Sequence, residues 1–208
     1  MSSTTKGENM IKTFDHGLLG SNTHLYVTDG GHAMIIDCGC EPSGVVDYIK
    51  KNEITVDYIV LTHGHYDHID FIGEYATLFP NAKIICHREE LKLISDPEGN
   101  LSCFFGFSKK YEENYMAVNE GDIISLPKKD GGRVDFSVIH APGHTAGCIC
   151  LYEKNEKIMF TGDVLFANGY GRVDLKYASP TDMGASLRRL YTYEGVTIYP
   201  GHGESATI

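Results

Sequence analysis

The sequence predicts an α/β sandwich in which two β-sheets pack face to face and helices cover their outer sides. Short apolar runs alternate with longer amphipathic ones, so predicted strands and helices interleave along the 208 residues. The first strands nevertheless follow one another without helices between them, and so do the strands between positions 123 and 160. Two such runs of consecutive strands favour two separate sheets over one continuous sheet.

The predicted strands are rich in β-branched or aromatic residues and are bounded by Gly, Pro, Asn or Asp. They cover positions 11–14, 24–28, 33–37, 58–61, 83–86, 123–126, 134–140, 147–152, 157–160 and 197–199. Helices are predicted over 43–51, 68–78, 88–94 and 181–190, and Pro42 and the pair Thr181-Asp182 are typical of helix starts. The aromatic-rich stretch 97–116 lacks periodicity and is predicted as a loop. Packing of its rings in the core is favoured over lining a substrate pocket.

Composition and charge narrow the function classes. The formal net charge of −10 argues against binding of a nucleic-acid backbone, which requires clustered Lys and Arg. No stretch approaches the roughly 18 consecutive apolar residues of a membrane helix, and the polar start from Met1 to Glu8 does not resemble a signal peptide. We therefore expect a cytoplasmic protein that acts on a small molecule. The six cysteines are expected to be reduced and to act as small buried hydrophobic residues.

One cluster of polar residues points to metal chemistry. The segment 62–68 reads T-H-G-H-Y-D-H and follows the apolar strand 58–61, at the turn into the next helix. An extended loop can direct residues i, i+2 and i+4 to one point, whereas a helix would place His63 and His65 about 200° apart.

Further ligand-type residues follow glycines after later strands. The whole set is His63, His65, Asp67, His68, His144, Asp163 and His202. Three neutral imidazoles suit one zinc ion, and the additional histidines and carboxylates indicate a second ion. A hydrogen-bonded turn without metal is the alternative for the 63–68 cluster.

These motifs resemble those of the metallo-β-lactamase superfamily from about residue 22 to residue 208. The resemblance implies a single domain over residues 1–208 with the αββα four-layer sandwich, an α/β fold. It also implies two divalent metal ions, zinc being favoured over iron or manganese. His63, His65 and His144 would hold metal 1. Asp67, His68 and His202 would hold metal 2, and Asp163 would bridge both. Asp67 would also orient the nucleophile. Asp37 either supports the metal loop from behind or simply closes its strand.

Within the superfamily, the segments 160–166 and 169–175 look most like those of the glyoxalase II group. In that group a basic residue at the position of Arg172 contacts the glutathione carboxylate, so Arg172 and the neighbouring Tyr170 are expected to contact the substrate. A surface ion pair between Arg172 and Asp174 is an equally good interpretation. The glycine pair that usually follows the metal motif is replaced by Ile69–Gly73, and Cys38 stands where proline is common. The C-terminal helical domain of glyoxalase II is also expected to be missing, which puts the thiol carrier in doubt.

The resulting hypothesis is hydrolysis of an activated acyl bond, above all a thioester such as an S-acylglutathione. The main alternative is a mononuclear iron persulfide dioxygenase, which resembles this chain in the segment 171–174. A non-catalytic metal-binding or sensor protein on the same fold is a further alternative. A B1-type β-lactamase is disfavoured because it carries Cys at the position of Asp163, and a flavodiiron reductase because it carries Glu at the position of His65. The sequence leaves the oligomeric state open.

Overall fold

The computed structural model describes residues 8–208 and confirms the α/β sandwich of two packed sheets. The polar start for which no signal peptide is expected lies, apart from Glu8, outside the described residues. In the part of the chain that is described, no helix is long and apolar enough to cross a membrane.

The first sheet contains six strands whose order in space follows their order in the chain. The first three strands pair antiparallel, and the third to sixth pair parallel. The strands are β1 (Met10–Phe14), β2 (Thr23–Val27), β3 (His32–Ile36), β4 (Thr55–Val60), β5 (Lys83–His87) and β6 (Tyr115–Val118).

The second sheet also has six strands in sequential order. All its pairings are antiparallel except that of the fourth strand with the fifth, which is parallel. The strands are β7 (Ile123–Pro127), β8 (Arg133–His140), β9 (Ile149–Glu153), β10 (Ile158–Gly162), β11 (Thr197–Pro200) and β12 (Ala206–Thr207).

Five α-helices complete the described chain, and each contributes buried residues to the apolar clusters on the outer faces of the sheets. They are α1 (Pro42–Lys51), α2 (Tyr66–Ile69), α3 (Ile72–Leu78), α4 (Glu90–Ile94) and α5 (Pro180–Leu190). Helix α5 begins where the Ser179 side chain accepts a hydrogen bond from the Asp182 amide, which satisfies one of the free amides of its first turn.

The alternation of side chains along β3 shows how the layers form. Met34 and Ile36 point between the two sheets, where they join a cluster that includes Phe136 and Phe160 of the second sheet. Ala33 and Ile35 point to the opposite face, in a cluster with buried residues of α1 and α3. Because both faces of the strand are buried, its sequence is continuously apolar.

Helix α5 covers the outer face of the second sheet in the same way. Met183 and Leu190 pack on Cys150, Met159 and Ile198 from three of its strands. Five of the six cysteines are buried as expected, whereas Cys103 is exposed.

One predicted helix differs from the structure, and the strands β6 and β12 were not predicted. The helix predicted over 68–78 is divided into α2 and α3. The carbonyl of His68 accepts a hydrogen bond from the Cys38 amide, and the Phe71 amide donates to the Cys38 carbonyl, so the helical hydrogen bonds are interrupted there. Strand β6 was missed because it begins in the aromatic-rich stretch. As an edge strand it has only one neighbour, and its burial does not alternate clearly.

Candidate metal centre

The ligand-type side chains all follow the C-terminal ends of strands, in loops or, for Asp67 and His68, in the short helix α2. Loops after β3 and β4 supply Asp37 and the segment 62–68, while loops after β8, β10 and β11 supply His144, Asp163 and His202. The pairings make β3 parallel to β4, and β8 parallel to β10 and β11. The loops of each sheet therefore emerge at one edge, and the packing of the two sheets brings the two sets together.

The first group of side chains contains three buried histidines. Nδ1 of His65 lies 2.8 Å from Nε2 of His144. Each of the three histidines is at most 3% exposed. The ring centroids of His63 and His144 are 4.9 Å apart. One ligand atom from each of His63, His65 and His144 falls within 4.8 Å of the others, a spacing that suits one metal ion.

The second group contains two histidines and one carboxylate. Nε2 of His68 lies 3.1 Å from Nε2 of His202, which in turn lies 3.2 Å from Oδ2 of Asp67. The backbone locates these side chains independently of one another. Asp67 and His68 belong to α2, whereas the loop of His202 is fixed by two hydrogen bonds from the buried Asn22 amide, to Pro200 O and Gly203 O.

Asp163 lies between the two groups. Its Oδ2 is 3.5 Å from Nε2 of His144, and its Oδ1 is 3.4 Å from Nε2 of His68. Oδ2 is also 3.6 Å from Nε2 of His202. The Asp163 carboxylate therefore lies within 3.6 Å of ligand nitrogens from both groups, which is the position required of a bridging ligand.

Two of the histidines are oriented by hydrogen bonds from the nitrogen that faces away from the centre. Nδ1 of His144 lies 2.8 Å from the carbonyl oxygen of Arg172, so this nitrogen carries the hydrogen. Nδ1 of His68 donates to Oδ2 of Asp37 at 2.9 Å. In His144, Nε2 is then left with a free lone pair, as metal binding requires. Burial opposes protonation of His68, but the carboxylates of Asp67, Asp163 and Asp37 raise its pKa to about 10, so a metal ion would displace the proton from its Nε2.

Burial and neighbouring charges shift the pKa values of the ligand-type histidines and of Asp67 for different reasons. Burial, together with the neighbouring imidazoles, lowers the pKa values of His63 and His65 well below the ordinary value, so both rings are neutral and able to bind a cation. Burial opposes ionisation of Asp67, but the nearby His68 and His202 hold its pKa below the ordinary value. The Asp67 carboxylate is therefore ionised at neutral pH.

The unsatisfied atoms of the site test whether the donor set fits metal ions. Nε2 of His63 and Oδ1 of Asp163 are buried and have no hydrogen-bond partner in the described residues. Leaving such atoms unpaired is costly, and a cation would satisfy both of them. Five imidazoles and two carboxylates match the preferences of zinc, iron or manganese. The residues present therefore fit two divalent ions.

Asp37 and Glu90 lie behind the ligand loops, and sequence analysis missed the second of them. Asp37 accepts hydrogen bonds from the Thr62 amide and hydroxyl as well as from His68. Glu90 is fully buried and accepts hydrogen bonds from Gly64 and Thr145, which adjoin the ligands in two different loops. In the sequence Glu90 stands beside Glu89 at a helix start, and no pattern distinguishes the two.

The expected substrate contacts lie at the surface in this structure. The Arg172 guanidinium donates two hydrogen bonds to the Asp174 carboxylate, each 2.9 Å long, and both side chains are about two-thirds exposed. Within residues 8–208, no other hydrogen bond involves this guanidinium. Tyr170 is also exposed. The ion-pair interpretation of Arg172 thus describes this conformation, and contact of either residue with a substrate stays a prediction.

Comparison with known proteins shows which family this chain resembles. The chain is 31% identical to hydroxyacylglutathione hydrolase GloC of Haemophilus influenzae over 191 residues, which cover 90% of this chain and 87% of that protein. The structure of this chain superposes on that of BLEG-1 B3 metallo-beta-lactamase with a TM-score of 0.84 and 29% identity, covering 95% of this chain and 94% of the other. A di-iron-bound form of TTHA1623 matches with a TM-score of 0.81 and 28% identity, covering 94% of each chain. The family model for the metallo-beta-lactamase superfamily matches residues 16–202, and the protein belongs to this superfamily.

Proposed function

We propose that this protein is a metal-dependent hydrolase that cleaves an activated acyl bond, most specifically a thioester such as an S-acylglutathione. The observation that carries the proposal is the pair of ligand groups joined by Asp163, whose two carboxylate oxygens lie 3.4 and 3.5 Å from ligand nitrogens of different groups. The family and the similarity to GloC support hydrolase chemistry in general. The thioester is the finer part of the proposal.

The seven residues of the metal set divide between two ions in this proposal. His63, His65 and His144 would hold one ion, and Asp67, His68 and His202 would hold the other. Asp163 would contribute to both sites. When bound, divalent ions at such a site lower the pKa of water and polarise a carbonyl oxygen, which together promote attack on an acyl carbon.

The side chains of the chain itself bind and orient the reacting groups. Asp67 is ionised and 8% exposed, which is more than any of the ligand histidines except His202. Its carboxylate is therefore able to accept a hydrogen bond from a water molecule and to fix the direction in which that water attacks. The buried neutral rings of His63 and His65 exclude bulk water from the inner side of the centre.

A thioester suits this site because its leaving group is a thiolate. The thiol has a pKa near 8.5, so its thiolate leaves with little protonation. The reaction therefore does not need a strong general acid. The side chains of the two ligand groups are all assigned to the metal set, so none of them is left to serve as a general acid. Amide cleavage, which requires protonation of the leaving nitrogen, fits this set less well.

Metal analysis combined with a substrate panel tests the proposal. The protein should contain two metal ions per chain when expressed without added metal, and it should hydrolyse S-acylglutathiones faster than lactones or β-lactams. Zinc is the expected metal, with iron or manganese as alternatives that the di-iron form of a similar structure keeps open. Full metal loading without hydrolysis of any of these substrates would favour a metal-binding or sensor protein instead.

The same measurement distinguishes the persulfide dioxygenase alternative. One iron ion per chain, together with oxygen consumption in the presence of a persulfide, would support that enzyme. The clustering of Asp67, His68 and His202 around a second point favours two ions and hence the hydrolase.

The variant His63→Ala should abolish turnover and reduce the metal content. A matched control is His32→Ala, because His32 lies at the start of β3, away from the edge that carries the ligands, and pairs only with Asp57 among the described residues. Full activity of His63→Ala without bound metal would contradict the proposal.

A further inference from the structure

Glu90 is a buried carboxylate that contacts the loops on both sides of the first ligand group. It is the first residue of α4 and is fully buried. Its Oε2 accepts a hydrogen bond from the Gly64 amide at 2.7 Å. Its Oε1 accepts from the Thr145 hydroxyl at 2.6 Å and from the Gly147 amide at 2.7 Å.

These three donors belong to the two loops that supply the imidazoles of the first group. Gly64 stands between His63 and His65, and Thr145 follows His144 directly. The first loop comes from one sheet and the second from the other, so the distance between them is not fixed by strand pairing. In the described part of the chain, Glu90 is the only side chain outside the segments 63–65 and 144–147 that forms hydrogen bonds to both of them. The segments also meet directly, because Nδ1 of His65 lies 2.8 Å from Nε2 of His144, and the Ile149 amide donates to the Thr62 carbonyl beside them.

The glycines around Glu90 show how closely the loops approach it. A Cβ atom on Gly147 would lie 2.8 Å from Cγ of Glu90, and one on Gly64 would lie 3.1 Å from its Oε2 and closer still to Ile94 and Leu93. Both positions therefore require glycine for the carboxylate to reach the backbone amides. Burial raises the pKa of Glu90, while its three donors stabilise the ionised form.

We propose that Glu90 is a positioning residue that sets the distance between the 63–65 loop and His144, and thereby the affinity of the first metal site. This inference rests on the proposed function because it assigns metal binding to that group. Glu90 does not touch the ligand atoms. It acts through Gly64 and Thr145, whose neighbours supply the imidazole nitrogens.

The variant Glu90→Gln tests this role at nearly constant side-chain volume. A glutamine has one acceptor oxygen, so its amide nitrogen must face either Gly64 N–H or Gly147 N–H, and two donors then oppose each other. Glu89→Gln is the matched control, since Glu89 is the exposed neighbour and the change in charge is the same. Zinc affinity is measured by competition with a chromophoric chelator, and the visible spectrum of the cobalt-substituted protein reports the geometry of the site.

We expect Glu90→Gln to bind its first zinc ion about 10- to 100-fold more weakly than wild type and to show an altered cobalt spectrum. Glu89→Gln should match wild type in both. Wild-type affinity and spectrum in Glu90→Gln would overturn the role of Glu90 while leaving the proposed function intact. A wild-type protein that binds none of zinc, iron and manganese would overturn the proposed function itself.

A second pair of variants covers the case in which Glu90→Gln does not fold, as judged by circular dichroism. Thr145→Val removes the hydroxyl that donates to Glu90, whereas Thr145→Ser retains it. Weaker zinc binding in Thr145→Val, restored in Thr145→Ser, supports the proposal. Equal zinc affinity in both variants would overturn it.

Discussion

Asp37 and His68 form a buried hydrogen-bonded pair, in which Nδ1 of His68 donates to Oδ2 of Asp37 at 2.9 Å and both side chains are at most 1% exposed. Asp37 has a φ of 61°, in the left-handed region that aspartate tolerates better than most residues. Its other contacts, from the Thr62 amide and hydroxyl, fix this conformation. One carboxylate therefore aligns the start of the metal loop and the ring of a ligand that ends it.

The variant Asp37→Asn should weaken metal binding without removing a ligand. An asparagine cannot accept all three hydrogen bonds, because its amide nitrogen faces a donor from either Thr62 or His68. We expect metal affinity to fall about 10- to 100-fold, as is usual when a group that orients a ligand is lost. Isothermal titration of the metal-free protein with zinc measures this. Asp47→Asn, on the exposed side of α1, is the control, and an unchanged zinc affinity in Asp37→Asn would contradict the expected role.

The variant Gly201→Ala should disrupt the second ligand group. A Cβ atom at this position would lie 2.3 Å from Oδ1 of Asp163 and 2.6 Å from Cε1 of His68. Both neighbours are buried and cannot move away without leaving the centre. We expect the second metal ion to be lost and the melting temperature to fall.

Gly44→Ala serves as the control for that substitution. Gly44 lies within α1, and a Cβ atom there would meet nothing within 4 Å. Alanine in a helix interior is about 0.5–1 kcal/mol more favourable than glycine, so this variant should retain both ions and melt slightly higher than wild type. Elemental analysis and thermal unfolding compare the two variants, and two bound ions in Gly201→Ala would refute the prediction.

Particular residues show which parts of the site could be predicted from the sequence. The cluster at His63, His65, Asp67 and His68 is local, so its spacing in the chain already reveals it. The segment 58–61 directly before it is continuously apolar and could be located in the same way. Glu90 was not predictable because its three donors are supplied by loops from two sheets, and its sequence neighbour Glu89 is exposed.

The position of Arg172 illustrates a second limit. Its backbone carbonyl is fixed because it accepts the hydrogen bond of His144, but its guanidinium pairs with Asp174 at the surface. Sequence patterns place the residue near the centre and do not determine where a long exposed side chain points. Two interpretations therefore remained equal at the level of sequence.

Substitution of this ion pair tests the expected contact with substrate. If the guanidinium binds a carboxylate of the thiol carrier, it must exchange Asp174 for that carboxylate. We expect Arg172→Ala to raise KM for S-lactoylglutathione, and Asp174→Ala to lower it by freeing the guanidinium, with kcat nearly constant in both. A thioester whose thiol carries no carboxylate serves as the control substrate. Unchanged KM values in both variants would show that the pair has only a surface role.

His87 should make the stability of the fold sensitive to acid. Its ring is 5% exposed and stacks on that of His140, with centroids 4.0 Å apart and an angle of 12° between the planes. Burial, and then the neighbouring His140, lower the pKa of His87 from 6.5 to about 4, with Arg88 acting in the same direction and Glu89 and Glu120 opposing it. The folded protein therefore keeps this ring neutral in a pH range where an exposed histidine is protonated.

The sign of the effect follows from proton binding in the two states. Between pH 6.5 and pH 4 the unfolded chain binds a proton at His87 and the folded protein does not, so the free energy of unfolding decreases as the pH falls. At pH 5 the loss attributable to this group is about 1–2 kcal/mol. His87→Phe keeps an aromatic ring for the stack and removes the titration. It should therefore lose about 1–2 kcal/mol less stability than wild type between pH 7.5 and pH 5.

Urea unfolding of chelator-treated wild type and variant at the two pH values measures this difference, since removal of metal excludes the pH dependence of metal binding from the comparison. His140→Phe is the informative control. It removes the neighbouring imidazole but leaves the burial of His87, which is the larger cause of its lowered pKa. This variant should retain most of the acid sensitivity of wild type. Equal loss of stability in wild type and His87→Phe would show that His87 is not protonated on unfolding in this range, and the acid sensitivity would then have to come from other groups.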